Sequence, residues 1–484
     1  MLKLSSYYLL GCLLIFTGCR KFLEKNPQDE FVPATVNDLR KILAQEGYPA
    51  ANRSLHPYVC LLDDDIKCVG EDMDAGKWKQ GKSAFTWSKT MYSEMQLSGD
   101  SDTDSYAKYY QRIKGCNVVL DNIPLVQGST ADKNQLTAEA QVLRAYYYLM
   151  LVNLYGRPYN DRQCSPDQSP GVPLVLSGKV ADACLHRNTV AEVYAQITRD
   201  ITNGCALLEA CSNTAGIFCI GRQAAWLLAG RIFLYMENWD QVIRYNNKLL
   251  AERSQLENMR YWAIKRSPVD SQQCFLNPGN KEVLFLFGSV KEYNLLEINQ
   301  MGRAPYYYAT DELTALYEKG DLRADVYLNI WKITGAFSKV NSQAHMGKSF
   351  RLSEAYLNRA EAASRAYALN GNRALLDQAI HDLNTLRQAR FNTTYYEPLT
   401  AAGFLHQPKK ILQYCLEERR RELCFEEHRW FDLRRYGMPA ITHFYYQEKN
   451  RQPLAYHLSE KNPRYVLPIP DMALARNPSL EQNP

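Results

Sequence analysis

The sequence predicts a mainly α fold: a tetratricopeptide-like array of antiparallel helix pairs that carries two long irregular excursions. Three observations predict it. Apolar residues recur at helical spacing in successive stretches, small residues stand where paired helices would cross, and two long intervening stretches lose that period and fill with Gly, Asn, Ser and aromatics. The scaffold is read over about 106–252 and 349–437 and the irregular segments over about 56–105 and 254–347.

The elements follow in order. Lys3, an apolar run from Tyr7 to Phe16 and Thr17-Gly18-Cys19 read as a signal peptide over 1–18, with a bacterial lipobox that makes Cys19 the acylated first residue of a mature chain, 19–484. Phe16 stands where a lipobox more often has Leu, which leaves ordinary secretion open. No later stretch has the roughly 18 apolar residues of a membrane span, so acyl chains on Cys19 would be the anchor. A polar tether with Pro27 leads to a helix near Val36 to Glu46, and from His56 to Ser105 the helical period is lost. A first helix pair is expected over Tyr106–Ile123 and Ala138–Tyr155, where Val142, Ala145, Leu149 and Val152 share a face and Gly156-Arg157-Pro158 ends it. A second is expected over Val190–Glu209 and Arg222–Glu252. The third runs over Leu352–Leu369 and Arg373–Arg390, turning at Asn370-Gly371-Asn372. Ala225, Gly230, Ala355 and Ala360 are the small residues at the expected crossings. In the second excursion Glu282–Phe287 is the one strand-like run.

Composition bounds the function. The 484 residues are 46% hydrophobic and 23% charged, with 57 basic against 52 acidic side chains, which excludes a disordered chain or a disulfide miniprotein. The longest basic run is Arg419-Arg420-Arg421, so nothing suggests nucleic acid as a partner. Of 13 Cys, Cys12 and Cys19 go to the signal and the anchor and 11 remain; with an odd number and no CxxC, most are expected to be small buried hydrophobes. Cys205, Cys211 and Cys219 lack the flanking ligands of a zinc site.

Enzymatic chemistry finds no motif: neither HExxH, nor GxSxG, nor a phosphate-binding Gly loop occurs. The acidic and basic residues from Glu417 to Asp432 read as a charge lattice along a helix, Glu418 toward Arg421 and Glu422 toward Arg419 and Glu426, rather than as a catalytic carboxylate pair. Trp430 and Phe431 read as core anchors. Asp63-Asp64-Asp65, Glu71-Asp72-Asp74 and Asp100-Asp102-Asp104 offer the hard oxygen ligands that calcium takes, without a full EF-hand loop, so calcium stands as an alternative to no cofactor at all.

Four stretches, Ala138–Tyr159, Arg351–Ala362, Ile411–Gly437 and Tyr465–Pro484, in this order behind a lipobox, resemble the SusD/RagB family of outer-membrane nutrient-binding lipoproteins of Bacteroidetes. The sequence departs from the family pattern at Glu427, where Gly is usual, at a terminus ending Gln482-Asn483-Pro484 without Gly-Tyr, and in a short stretch near Gly288–Tyr308. The resemblance implies a lipid-anchored protein on the exterior face of the outer membrane. It would lie as a lid over a SusC-like TonB-dependent transporter, and capture oligosaccharide, or in some members peptide, for import without catalysis. A lipoprotein glycoside hydrolase and a periplasm-facing helical scaffold are the rival readings.

A sugar ring packs its C–H face on an exposed aromatic ring while Asn, Asp, Gln or Arg bond its hydroxyls. Aromatics in loops suit that role best, which selects Trp78, Trp87, Tyr92, Tyr293 and the run Tyr306-Tyr307-Tyr308, with Asn294 and Arg303 as hydroxyl partners. Tyr146-Tyr147-Tyr148 and Tyr445-Tyr446 are expected to be packed.

Overall fold

The computed structural model describes residues 32–49, 54–69, 79, 81–98, 103–179, 184–211, 216–265, 274–288, 307–328, 339, 347–448 and 451–484. Thr35 opens α1 (Val36–Ile42) with a capping box, its hydroxyl accepting the Asp38 N–H while the Asp38 carboxylate accepts the Thr35 N–H. A π turn over Leu43–Gly47 extends the element to the length the sequence predicts. α2 (Ser105–Asn122), α3 (Thr130–Tyr155) and α4 (Val190–Glu209) begin at Asp104, Ser129 and Thr189, whose side chains accept the N–H three residues on.

The expected helix over Arg222–Glu252 is two helices, α5 (Arg222–Tyr235) and α6 (Trp239–Glu252). Between them Glu237 takes φ 57°, and the Asn238 side chain accepts the Gln241 N–H, so a local cap prevails over continued helix. α4 therefore packs chiefly on α3, and α5 pairs with α6. α7 (Leu352–Asn370) and α8 (Arg373–Arg390) match the expected pair, because Gly371 closes α7 in the left-handed region at φ 68° and Asn372 caps α8. α7 also receives α6 and α9 (Pro408–Leu423), and α10 (Arg429–Arg435) follows. At the α5–α6 crossing a Cβ on Gly230 would stand 2.6 Å from Asn246 Nδ2, which is why a residue without a side chain belongs there.

The core is rich in tyrosine. Tyr146, Tyr147, Tyr148, Tyr445, Trp430 and Phe431 are all buried. Seven of the described cysteines are buried, and Cys205, Cys211 and Cys219 range from buried to exposed. The first irregular segment holds more structure than the sequence predicts: a 3-10 turn at Val59–Leu61, strand β1 (Ile66–Cys68) and short helices at Lys82–Phe85 and Met91–Leu97. The other strands are β2 (Val283–Phe287), β3 (Tyr307–Ala309), β4 (Lys348–Arg351), β5 (Ile441–Tyr445) and β6 (Leu454–Leu458), joined as three antiparallel two-stranded ladders, β1 with β3, β2 with β4 and β5 with β6.

The charges of α9 are structural, as expected, but they do not form a lattice along one helix. Only Glu418 keeps its expected neighbour, Arg421, at 2.6 Å. Glu422 is buried at the centre of three guanidinium groups from elsewhere in the chain, Arg323 at 3.2 Å, Arg351 at 2.8 Å and Arg390 at 2.9 Å. Arg419 turns to Asp432 and Glu426 to Arg351 and Lys339. α9 is packed on several sides, and ions removed from water on all sides must find their counter-ions across the core.

Candidate ligand-binding face

The two irregular excursions are rooted by two of the ladders. In the first, Cys68 is the register partner of Tyr307, Lys67 of Tyr308 and Ile66 of Ala309. Thr310 N–H donates to the Asp65 carbonyl at 2.9 Å and Lys67 meets Asp311 at 2.6 Å, which fixes that register. Gly81 lies against the Tyr307 ring: a Cβ there would be 2.9 Å from the hydroxyl. Cys68 and Gly81, described residues on either side of the stretch holding Trp78, thus both adjoin Tyr307, the residue that follows Tyr306. In the second ladder Phe287 is the partner of Lys348. A small cavity of about 30 Å³ sits at that end, with Phe287, Lys348, Tyr146, Glu427 and His428 among its walls.

Of the residues selected from the sequence, Cys19, Trp78, Tyr293, Asn294, Arg303 and Tyr306 lie outside the described residues. Four others are described, and for three of them the platform reading is corrected. Trp87 is 3% exposed, donates its indole N–H to the Leu62 carbonyl at 2.9 Å and stacks on His443 at 4.3 Å. Tyr92 is buried, its hydroxyl bonded to those of Tyr58 at 2.7 Å and Tyr155 at 2.9 Å. Tyr307 is fully buried against Phe85, ring centroids 5.1 Å apart. None of the three offers a ring face to a sugar. For Tyr92 the local signal is the short amphipathic helix Met91–Leu97, which buries Met91, Tyr92 and Met95 on one side. Tyr308, between the buried Tyr307 and Ala309, is half-exposed.

His443 shows how tightly this region is packed. Its ring lies between Phe85 and Trp87, with Nδ1 facing the Phe85 carbonyl at 2.7 Å and Nε2 the Asp63 carbonyl at 2.9 Å. Burial pulls it down to about 4, so at neutral pH it is uncharged and donates to one carbonyl at a time.

Around the calcium candidates Asp63, Asp64 and Asp65, guanidinium groups stand as counter-ions to two of the three carboxylates, and one Asp65 oxygen has no hydrogen-bond partner. Arg429 forks onto Asp64 at 2.7 and 2.8 Å, and Arg420 meets Asp65 at 2.6 Å. Burial and the two neighbouring carboxylates push Asp63 well above the usual carboxylate range, and one of its oxygens accepts the Asp65 N–H at 3.0 Å. Among the described residues no three His, Cys, Asp or Glu side chains gather as metal ligands. Asp104 is occupied in capping α2; Glu71, Asp72, Asp74, Asp100 and Asp102 lie outside the described residues.

Comparison with known proteins bears on both halves of the chain. Residues 21–234 match a family model described as starch-binding associating with outer membrane, and residues 324–484 match the SusD family model. The chain belongs to the SusD/RagB family. It is 22% identical over 537 residues to SusD-like protein P2 of Formosa agariphila, covering 97% of each chain. Among solved structures, a putative sugar binding protein from Bacteroides vulgatus matches with a TM-score of 0.70 at 23% identity, covering 94% of this chain and 99% of that one. A SusD superfamily protein from Bacteroides thetaiotaomicron gives 0.69 at 20% identity, over 93% and 100%. A laminarin-binding SusD-like protein gives 0.62 at 19%, over 93% and 99%. The mainly α SusD-like fold expected from the sequence is thereby shown.

Within that fold the departure at Glu427 has a geometric explanation. Its φ is 65°, a conformation glycine adopts without strain, which accounts for the Gly usual at this point of the SusD/RagB motif. The side chain that replaces it is used: its carboxylate bonds Lys348 Nζ and lies 2.6 Å from His56 Nε2, while His56 Nδ1 faces the Tyr109 hydroxyl. Burial, with Lys348 and Lys108 nearby, holds His56 neutral, which fits the tyrosine hydroxyl donating to Nδ1, while Glu427 lies beside Nε2 without a well-formed hydrogen bond.

Proposed function

We propose that this SusD/RagB protein is a non-enzymatic, cell-surface glycan-binding lipoprotein, anchored in the outer membrane through Cys19, that captures oligosaccharide and delivers it to a SusC-like TonB-dependent transporter. The observation that carries the reading is the match of both halves of the chain to family models, one of them described as starch-binding. The sugar-binding and laminarin-binding descriptions of two fold neighbours support the ligand class. The lipobox supports the anchor, and no described helix is long and apolar enough to cross a membrane.

A binding role also agrees with the two α9 carboxylates Glu418 and Glu422. A glycosidase needs one carboxyl raised enough to carry a proton. Although burial opposes it, Arg323 and Arg421 hold Glu418 down to about 2, and Arg390, Arg351 and Arg323 hold Glu422 well below the usual range. Neither has a proton to give at neutral pH.

The ligand is expected on the face rooted at Tyr307, with Trp78, Tyr306 and Tyr293 as ring surfaces and Asn294 and Arg303 as hydroxyl partners. The test is affinity electrophoresis of a chain beginning at Arg20 against laminarin, starch and a panel of other polysaccharides, with sugar release followed in the same samples. Retardation without release is expected, weakened about tenfold or more by Trp78→Ala with Tyr306→Ala. Released sugar would overturn the non-enzymatic reading; retardation by no glycan would move the ligand to peptide. Cys19→Ala is expected to leave the membrane fraction.

A further inference from the structure

We infer that the recess beside Arg434 is a binding site for an oxyanion group, a carboxylate, sulfate or phosphate carried by a small ligand. It lies among the loop after α3, the α5–α6 turn, α9 and the end of α10, with a volume of about 360 Å³, and shares no lining residue with the ladder ends that root the excursions. A volume of this order accommodates one sugar ring or a smaller acid.

Arg434 supplies the reason. It is 2% exposed. Its two Nη groups donate to the Tyr465 and Gly156 carbonyls, and its Nε–H has no acceptor. No carboxylate among the described residues pairs with it, although its neighbour Arg435 has two, Glu361 at 2.5 Å and Asp432 at 2.9 Å. Burial pulls Arg434 only to about 10, so it stays charged at neutral pH. The one carboxylate whose field reaches it, Asp161, is bonded by Arg157 instead, so this buried cation lacks a bonded counter-ion of its own among the described residues.

The surroundings supply more positive charge than negative. Arg162, Arg365, Arg435 and Lys461 line the recess with Arg434, against the acids Asp161 and Glu237. Both acids are engaged, Asp161 by Arg157 at 2.8 Å and Glu237 by Arg162 at 3.1 Å. Arg365 and Arg435 share Glu361, and Lys461 meets only the adjacent, exposed Glu460 at 3.1 Å. Lys461 is held by its own N–H, which donates to the Met438 carbonyl at 2.7 Å. The Tyr436 ring, with Arg435 4.4 Å above it, and Leu412 form an apolar wall beside the charges. An anion there would answer the Arg434 charge while the body of the ligand rests on that wall.

The test titrates the full-length chain with inorganic sulfate, inorganic phosphate, glucuronic acid and, as neutral control, glucose, at constant ionic strength balanced with chloride. Heat of binding and the thermal midpoint are read together. Saturable binding of the anions and none of glucose is expected. Tighter glucuronate assigns the anion to an acidic sugar; tighter sulfate or phosphate assigns it to a free ion or an ester. Arg434→Gln is expected to abolish binding. Because Arg434 also holds two carbonyls, Arg365→Ala with Lys461→Ala carries the test in a folded background, with affinity falling about tenfold. The proposal is overturned if sulfate and chloride move the midpoint equally in the unaltered chain, or if the Arg365 and Lys461 variant binds the anions unchanged.

Discussion

The Glu427 carboxylate reaches Lys348 from a residue in the left-handed backbone region, at φ 65°. Lys348 and His56 retain 6% and 2% of their side-chain exposure, so this carboxylate is their counter-group in a site that water barely enters. Glu427→Gly would relieve roughly 1–2 kcal/mol of backbone strain and lose a buried charge partner worth about 3–5 kcal/mol. The net expectation is destabilisation by about 2 kcal/mol in urea unfolding, with Glu427→Gln between the two. A Gly variant more stable than the natural chain would show that the pair contributes nothing.

Glu422 joins Arg323, Arg351 and Arg390 inside the protein. Glu422→Gln leaves three buried guanidinium groups short of a charge, and a loss of about 3–5 kcal/mol is expected. The exposed pair Arg373–Asp377 is the control, with less than about 1 kcal/mol at stake in Asp377→Asn. Equal effects at the two sites would contradict the assignment of Glu422 as the centre of the charged core.

The same chemistry sets an acid limb. Against burial, Arg435 holds Glu361 at about 2, from an ordinary value of 4.5. A depressed folded pKa contributes stability that is complete above about 4.5 and disappears as pH falls toward 2. Glu361→Gln should therefore remove stability on the order of 3 kcal/mol at pH 7 and make the remaining stability less steep between pH 4.5 and 2. Chemical unfolding of both chains across that window checks it; parallel curves would refute it.

Trp87 and Tyr92 separate folding from binding. Trp87→Ala empties a buried site and is expected to cost about 3–5 kcal/mol, whereas Tyr92→Phe removes one link in a chain of hydroxyls and should cost about 1 kcal/mol. Glycan affinity of the folded Tyr92→Phe protein should stay within twofold of the natural chain. A large drop in affinity without a change in stability would return Tyr92 to the ligand surface.

Gly115 marks where α2 meets the π turn after α1. A Cβ there would stand 2.4 Å from both the carbonyl carbon and oxygen of Glu46, backbone atoms that cannot swing aside. Gly115→Ala is expected to cost about 1–3 kcal/mol in thermal or urea unfolding, while Gly371→Ala, with open space around its Cβ, tests left-handed backbone strain alone.

The long helices were legible because their signals are local: apolar spacing, caps such as Thr189 and a stop at Gly371 act within a turn of chain. The family, too, was legible, since its motifs are short runs in order. The break at Glu237 was missed because Asn238, a capping residue, sits inside an otherwise continuous apolar period. By itself, then, the sequence determined a mainly α scaffold of paired helices, a strand-like run at Glu282–Phe287 that the strand Val283–Phe287 matches to one residue, and a core role for Trp430 and Tyr146–Tyr148. Tertiary structure alone decided which loop aromatics face inward and where each charge finds its partner. Trp87 is buried because β5 brings His443 against it from 356 residues away, and Glu422 meets Arg323 99 residues away. Burial and ion pairing are set by what arrives from distant parts of the chain, and no local pattern records that arrival.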